Sequence, residues 1–301
     1  MKPSRRMIVL FLTPAVLFYV LIFLYPTLRS IYLSFFQVPS FTGGGETYVG
    51  LSNYEELLRA PVFIDSFVNF LRIVFFGGAA IFGLAFLFAI LLQSGIKGKN
   101  FFRAVIYLPN VIAVVALTTT WTQYVFQPKY GLFTTFFKAL GLDSVASIPW
   151  GTPAHIFQGM LIAYIWAAVG YFLLIILAGV ERIPNDYYEA ARLDGASLVQ
   201  MFSLITLPLL RDVMRVVLVM WSIVAVNFFT FSMAWNPVYT GVELYTPAVY
   251  MYNKLFGVNS FATGQTANIG SAAAIGVSML GLVLLASFVL NRLYKQDNLE
   301  Y

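Results

Sequence analysis

The fold is decided by residues 189–210, which read EAARLDGASLVQMFSLITLPLL and lie between two long apolar runs. Acidic and basic side chains alternate through this stretch and its approach: Glu181, Arg182, Asp186, Glu189, Arg192 and Asp194. The flanking runs are long enough to cross a hydrocarbon core of about 30 Å. This polar stretch is therefore predicted to lie outside the bilayer.

Local signals in this stretch predict two short helices joined by a bend. Pro184 suits a first helical turn, where its missing N–H costs nothing. Gly195 suits a helix end that requires a positive φ. Ser197 followed by Gln200 is a capping box, which predicts the start of a second helix.

The second helix is predicted to be amphipathic, and Pro208 is predicted to kink or end it. Its apolar positions share roughly one face: Leu198, Phe202, Ile205 and Leu209. A bent pair of helices outside the bilayer is suited to docking onto another protein.

The same stretch resembles the EAA motif of the permease subunits of ABC importers. The residues that match the motif are Glu189, Ala190, Ala191, Gly195, Ile205, Leu207 and Pro208. The Asp-Gly-Ala sequence that begins at Asp194 is similar to the carbohydrate and polyol branch of that family. By this resemblance, these eight residues couple the chain to a partner ATPase.

Composition indicates a polytopic membrane protein. Of 301 residues, 60% are hydrophobic and only 10% are charged, against about 25% charged in soluble domains. There is no cysteine and one histidine, His155. Disulfides, thiolate metal sites and cysteine nucleophiles are thereby excluded, and we expect no histidine-based metal or acid–base centre.

We predict one all-α domain over residues 1–301 with about six transmembrane helices. The predicted spans are residues 8–30, 67–92, 104–126, 155–179, 213–234 and 269–290. The loop at 180–212 joins the fourth span to the fifth. Pro109 is expected to kink the third span, which neighbouring helices tolerate by re-satisfying the freed backbone groups.

The basic residues predict that both termini and the 180–212 loop are cytoplasmic. Twelve fall on that side: Lys2, Arg5, Arg6, Lys97, Lys99, Arg103, Arg182, Arg192, Arg211, Arg215, Arg292 and Lys295. Four fall outside: Arg59, Lys129, Lys138 and Lys254. This asymmetry accounts for much of the net charge of +5, so no nucleic-acid partner is needed.

Polar and aromatic residues inside the spans are candidates for a substrate pathway. Aromatic faces stack on sugar rings, and amide or hydroxyl groups bond sugar hydroxyls. Trp166, Gly170 and Tyr171 lie close together in the fourth span, and Asn227 lies in the fifth. By the resemblance, Tyr171 and Asn227 match places of substrate contact; helix packing is the alternative for each of these residues.

The resemblance implies a type I ABC importer permease in the cytoplasmic membrane of a bacterium or archaeon. Its expected partners are membrane lipid, a second homologous permease, an ATPase dimer and an extracytoplasmic solute-binding protein. The segment Gly50-Leu-Ser-Asn-Tyr54, similar to a GLxNY segment in the first outer loop of such permeases, supports it. The chain itself is expected to hold no cofactor, metal or catalytic residue, because ATP and Mg would be bound by the ATPase.

The expected substrate is a sugar, oligosaccharide or polyol, with glycerol phosphate as an alternative. A secondary transporter is a weaker alternative, since it usually needs ionisable residues inside the membrane or repeat symmetry. A membrane-embedded enzyme would need clustered His, Asp, Glu or Cys, for which the sequence offers poor candidates.

Overall fold

The computed structural model describes residues 5–39, 45–93, 96–235, 241–257 and 267–294. Lys2 and Lys295, which the sequence assigns to the cytoplasm, lie outside these ranges. The chain divides into two compact units, one formed by Met1–Ile64 with Tyr250–Gly281 and the other by Asp65–Val249 with Leu282–Tyr301.

The described residues form helices and one two-stranded hairpin. In chain order they are α1 (5–33), β1 (Phe36–Gln37), β2 (Thr47–Tyr48), α2 (Ser52–Arg59), α3 (Pro61–Gln93), α4 (Lys99–Val111), α5 (Val114–Val125), α6 (Leu132–Ala139), α7 (Asp143–Ala146), α8 (Ile156–Val180), α9 (Asn185–Leu193), α10 (Leu198–Leu209), α11 (Arg211–Val226), α12 (Thr230–Trp235), α13 (Pro247–Phe256) and α14 (Ile269–Leu293). Several include a π turn, among them α3 at Ile73–Gly77 and α10 at Phe202–Thr206.

Four helices in the described ranges are long and apolar enough to cross a membrane: Val9–Leu33, Pro61–Gln93, Ile156–Val180 and Ile269–Leu293. Their ends lie within six residues of those of the first, second, fourth and sixth predicted spans. A fifth crossing is formed if the bent pair α4 and α5 counts as one span.

The third predicted span is broken rather than kinked. Helix α4 continues for two residues past Pro109, and α5 then leaves at an angle of 99°. Ile112 and Ala113 between them have ψ values of 133° and 135°, which are extended. Proline lacks the N–H that would continue the helical ladder and clashes with the preceding turn, which explains a break nearby.

The fifth predicted span, residues 213–234, is divided between two helices. Helix α11 ends at Val226, and α12 starts only at Thr230. The Asn227 side-chain amide donates to the Ile223 carbonyl at 3.0 Å, so it caps the end of α11. The Thr246 hydroxyl donates to the Phe228 carbonyl at 2.7 Å and so satisfies a group that the break frees.

In the unit that contains Met1–Ile64, the buried amide of Asn53 joins three segments. Its Nδ2 donates to the carbonyls of Ser34 at 2.8 Å and Phe36 at 3.0 Å, while its Oδ1 accepts from the Ser271 hydroxyl at 3.3 Å. Tyr54 adds a bond to the Ser34 hydroxyl at 2.8 Å. The GLxNY-like segment is therefore a structural anchor within this unit.

The other unit is organised around α8, which is largely buried. The C-terminal half of α8 packs with α3 and α11 through a core of Ala85, Ala89, Leu92, Leu173, Ile176, Leu177, Val180, Leu210 and Met214. Trp221 joins α11 to α3, because its indole N–H donates to the Val74 carbonyl at 3.2 Å inside the π turn of α3. In a regular α-helix a backbone N–H would donate to the Val74 carbonyl, and here the indole N–H takes that place.

Gly170 lies where α8 meets α4. A Cβ added there would lie 2.3 Å from the Ile106 carbonyl oxygen and 2.6 Å from the Tyr107 Cα. Both are backbone atoms, so this clash could be relieved only if α8 and α4 moved apart.

We therefore predict that Gly170→Ala lowers the thermal stability of the purified protein. Forcing an extra group into a packed contact costs about 1–3 kcal/mol, measured as a lower melting temperature and a lower membrane abundance. Gly83→Ala is the matched control, since a Cβ at Gly83 in α3 meets nothing within 4 Å. An unchanged melting temperature for Gly170→Ala would contradict this account of the contact.

Candidate functional site

The bend in the central loop is built by backbone hydrogen bonds around Gly195. Gly195 has a φ of +77°, as predicted. Its N–H donates to the Arg192 carbonyl at 3.1 Å, and the Ala196 N–H donates to the Ala191 carbonyl at 2.9 Å. This pair of bonds is the Schellman arrangement, which closes a helix C-terminus through a left-handed residue.

The predicted capping box at the start of α10 is confirmed. The Gln200 backbone N–H donates to the Ser197 hydroxyl at 3.3 Å, and the Ser197 N–H donates to the Gln200 side chain at 2.8 Å. At the other end of the loop, α9 begins at Asn185, so Pro184 occupies the N-cap and not the first turn. The two short helices are thus closed by local bonds on both sides of the bend.

The buried side chains of α10 are not those of the apolar face noted in the sequence. Leu198 of that face is exposed, whereas Met201 and Thr206 are buried, as is Leu210 directly after the helix. The π turn at Phe202–Thr206 adds a residue to one turn and shifts the buried face from the regular helical spacing. Of the motif residues on this helix, Ile205 and Pro208 are half-buried and Leu207 is exposed.

A buried hydrogen bond that sequence reasoning missed holds α9 against α10. The Tyr188 and Thr206 hydroxyls lie 3.0 Å apart, and both side chains are buried. Tyr188 directly precedes Glu189, which is exposed together with Ala190. The bond therefore holds α9 so that Glu189 and Ala190 of the EAA motif remain exposed on its surface.

Three apolar side chains of the loop point away from the protein. Leu193 is 90% exposed, Leu204 73% and Val199 68%. Glu189 and Arg192 line a cavity of about 200 Å³ between α9, α10 and the end of α3. The loop thus offers exposed apolar and charged groups on a locally well-bonded frame.

An ion pair joins the base of the loop to α4. The Arg103 guanidinium donates a hydrogen bond to the Glu181 carboxylate and lowers the pKa of that carboxyl below its usual value. The pair therefore stabilises the folded chain at neutral pH, and this contribution is lost as pH falls through the lowered pKa. Because Glu181 is solvent-exposed, the contribution is about 0–1 kcal/mol.

A second cavity, of about 280 Å³, lies midway along α8 beside both helix breaks. Its lining is Pro109, Asn110, Ile112, Val114, Leu117, Tyr164, Ala167, Ala168, Tyr171, Phe172, Val224 and Phe231. None of these residues is charged. We call this space the central cavity.

The structure separates the four predicted substrate-pathway residues. Tyr171 lines the central cavity, and Gly170 lies at the contact of α8 with α4. Trp166 is 46% exposed and meets Trp121 edge to face at 5.6 Å. Asn227 is exposed at the break after α11, where its Nδ2 caps the helix.

The described ranges contain no group of three or more His, Cys, Asp or Glu residues able to hold a metal ion. Across the same ranges Lys254 is the one buried charged side chain, and it pairs with Glu56 at 3.3 Å.

The lining of the central cavity offers aromatic, hydroxyl and amide groups for ligand binding, and no charged group.

The amino-acid sequence matches the family described as binding-protein-dependent transport system inner membrane component, over residues 81–296. A probable ABC transporter permease protein of Pyrococcus horikoshii is 31% identical over 298 residues, which cover 96% of each chain. The trehalose/maltose transport system permease protein MalF of Thermococcus litoralis is 36% identical over 184 residues, 60% of this chain and 61% of the relative.

The fold is also similar to a solved structure. One chain of a bacterial alginate ABC transporter, crystallised in complex with an alginate pentasaccharide-bound periplasmic protein, aligns with a TM-score of 0.73. The alignment covers 96% of both chains at 22% identity. At that identity the likeness supports the fold alone.

We predict that Tyr188→Phe loosens the loop, because it removes a buried hydrogen bond worth about 1 kcal/mol. Trypsin cleavage after Arg192 in the purified protein should then be about fivefold faster, since local opening becomes more frequent. Tyr187→Phe is the control, because the Tyr187 side chain is exposed. Equal cleavage rates for Tyr188→Phe and wild type would show that this bond does not hold the loop.

Proposed function

This chain belongs to the family of binding-protein-dependent transport system inner membrane components, and we propose that it moves a neutral sugar or oligosaccharide inward. Family membership confirms the resemblance predicted from the EAA-like stretch. The chain is accordingly a multi-pass protein of the cytoplasmic membrane and a transport subunit, not an enzyme. ATP hydrolysis would be supplied by partner ATPase subunits, which would bind ATP and Mg.

The observation that carries the coupling proposal is the locally bonded bend with its exposed apolar rim. Leu193, Val199 and Leu204 would lose water-exposed apolar surface on docking, which favours association. The Schellman bend and the capping box fix the angle between α9 and α10 before docking. A preorganised surface lowers the entropy cost of binding.

The motif residues have distinct roles in this proposal. Glu189, Ala190 and Asp194 are exposed and would contact the ATPase, while Gly195 sets the bend. Ala191 is half-buried and its carbonyl accepts the closing bond of the bend. The other motif residues, which join the loop to α11, are Ile205, Leu207 and Pro208.

The central cavity supports a neutral substrate over glycerol phosphate. Its lining includes Tyr164, Tyr171 and Asn110 but no lysine or arginine. Burying a phosphate without a positive partner is strongly unfavourable. Discontinuous helices commonly form substrate sites near the bilayer midplane in transporters, and here both breaks border this cavity.

Partners follow from the same family. We propose that the chain works with a second permease subunit, an ATPase dimer and an extracytoplasmic binding protein that delivers the sugar. The crystallised alginate transporter carries a periplasmic protein with its oligosaccharide, which supports a binding protein here. The lack of buried acids among the described residues disfavours a proton-driven carrier.

We predict that Gly195→Val abolishes ATPase attachment and uptake together. A β-branched side chain at a φ of +77° strains the backbone by at least about 1–2 kcal/mol, and the strain falls on the bend. Co-purification of the ATPase with the tagged chain is the measurement, alongside sugar uptake. Glu189→Ala should reduce both more mildly, because a rim charge contributes modestly.

Gly141→Val is the matched control for that substitution. Gly141 has a φ of +71° and open space around its Cβ position, as Gly195 does, but it lies between α6 and α7 in a predicted outer loop. It should keep both the ATPase and transport. Normal attachment and uptake for Gly195→Val would contradict a coupling role for the bend.

We also predict that Tyr171→Ala weakens sugar uptake about tenfold while assembly and basal ATPase activity stay normal, and that Asn227→Ala weakens uptake as well. Tyr171 lines the central cavity, and Asn227 lies beside the break that borders it. Tyr124→Ala is the control, since Tyr124 is exposed and lines no cavity described above. Unchanged uptake for both Tyr171→Ala and Asn227→Ala would assign these residues to helix packing.

A further inference from the structure

A third and larger cavity, of about 690 Å³, lies at the other end of α8 from the central loop. We call it the outer cavity. Its lining is Val115, Thr119, Thr122, Gln123, Phe126, Pro128, Trp150, Gly151, Ile156, Phe229, Thr230, Met233, Ala234 and Trp235. The walls are therefore α5, α12, the segment before α8 and the first residue of α8, with no charged side chain among them.

Several polar groups of this lining are not used by the protein itself. The hydroxyls of Thr119 and Thr230 and the amide of Gln123 form no hydrogen bond within the described residues, and all three residues are exposed. Thr122 differs, because its hydroxyl donates to the Thr118 carbonyl at 2.9 Å. Three neutral hydrogen-bonding groups are thus free to meet a ligand.

Trp150 adds an independent observation. The residue is only 9% exposed, and its indole Nε1 is buried with no hydrogen-bond partner in the part of the chain that the structure describes. A buried N–H of this kind normally finds an acceptor. A ligand hydroxyl or a water carried with it would supply one.

Aromatic packing holds the wall of the outer cavity in place. Trp150 stacks on Phe126 at 4.9 Å between ring centroids, and Phe126 meets Trp235 at 6.3 Å. The Thr118 hydroxyl donates to the Ala234 carbonyl at 2.9 Å and ties α5 to α12. A rigid aromatic wall with neutral hydrogen-bonding groups suits the apolar face and hydroxyls of a sugar ring.

The outer and central cavities lie at different depths along α8. Ile156 lines the outer cavity and Tyr171 the central one. Fifteen residues at 1.5 Å each place these two positions about 22 Å apart along the helix. The two cavities also share α12, where Thr230 lines one and its neighbour Phe231 lines the other.

From these observations we infer that the outer cavity is a second saccharide subsite, which binds a further ring of a neutral oligosaccharide. This inference rests on the proposed function and narrows it to substrates of more than one ring. Thr119, Gln123 and Thr230 bind the hydroxyls of that ring, and Trp150 provides the aromatic wall.

The test uses the assembled transporter with its binding protein, in proteoliposomes. Uptake of glucose, maltotriose and glycerol 3-phosphate is compared between wild type and the double variant Thr119→Val, Thr230→Val. We expect wild type to take up maltotriose, and the double variant to lose about tenfold in maltotriose uptake. Thr120→Val is the control, since the Thr120 hydroxyl donates to the Ala116 carbonyl at 2.8 Å and Thr120 does not line the outer cavity.

Chemical protection gives a second readout that does not depend on transport. The chain has no cysteine, so Thr230→Cys in a complex with cysteine-free partners reports on this site alone. A membrane-impermeant maleimide should label it from outside, and maltotriose should slow the labelling at least fivefold while glucose slows it less. Lys129→Cys, on an exposed residue outside the cavity lining, should be labelled equally with either sugar.

The outcomes separate this inference from the proposed function. Equal maltotriose uptake by wild type and the double variant, or labelling of Thr230→Cys that no sugar slows, would overturn the outer subsite and leave the carbohydrate importer standing. Absence of labelling would show that the second permease fills the cavity, which also overturns the subsite. Uptake of glycerol 3-phosphate alone, or of no sugar, would contradict the carbohydrate function itself.

Discussion

A helix that breaks inside hydrocarbon must find hydrogen-bond partners for the backbone groups that it frees. This constraint shapes the unit that contains α8. The Phe228 carbonyl at the break before α12 accepts from the Thr246 hydroxyl, and the Val74 carbonyl in the π turn of α3 accepts from the Trp221 indole. With these partners the freed carbonyls at both places are hydrogen-bonded, and the central cavity lies beside the break before α12.

Helix α8 connects the functional features in order of depth. Its first residue, Ile156, lines the outer cavity, its middle turns line the central cavity, and its end leads into the loop with the EAA motif. Close contacts with α4 at Gly170 and with α3 through the shared core make it the most buried of the long helices.

The features that sequence predicted well have local causes. Long apolar runs predict helices, Gly195 predicts a positive φ, and Ser197 with Gln200 predicts a cap, because each signal lies within a few residues of its effect. The break after Val226 carries neither proline nor glycine, and its stabilising hydroxyl comes from Thr246, twenty residues later. The Tyr188–Thr206 bond and the π turn in α10 likewise depend on tertiary packing, so periodicity alone does not indicate which side chains of α10 are buried.

The central claim is that the loop at 180–212 docks onto an ATPase on the cytoplasmic side. Site-directed crosslinking tests it most directly, because the chain has no cysteine of its own. Cysteines at the exposed positions Ala190 and Val199 should crosslink to the ATPase in the assembled transporter. Crosslinks from these positions to the extracytoplasmic binding protein instead would contradict both the orientation and the coupling role.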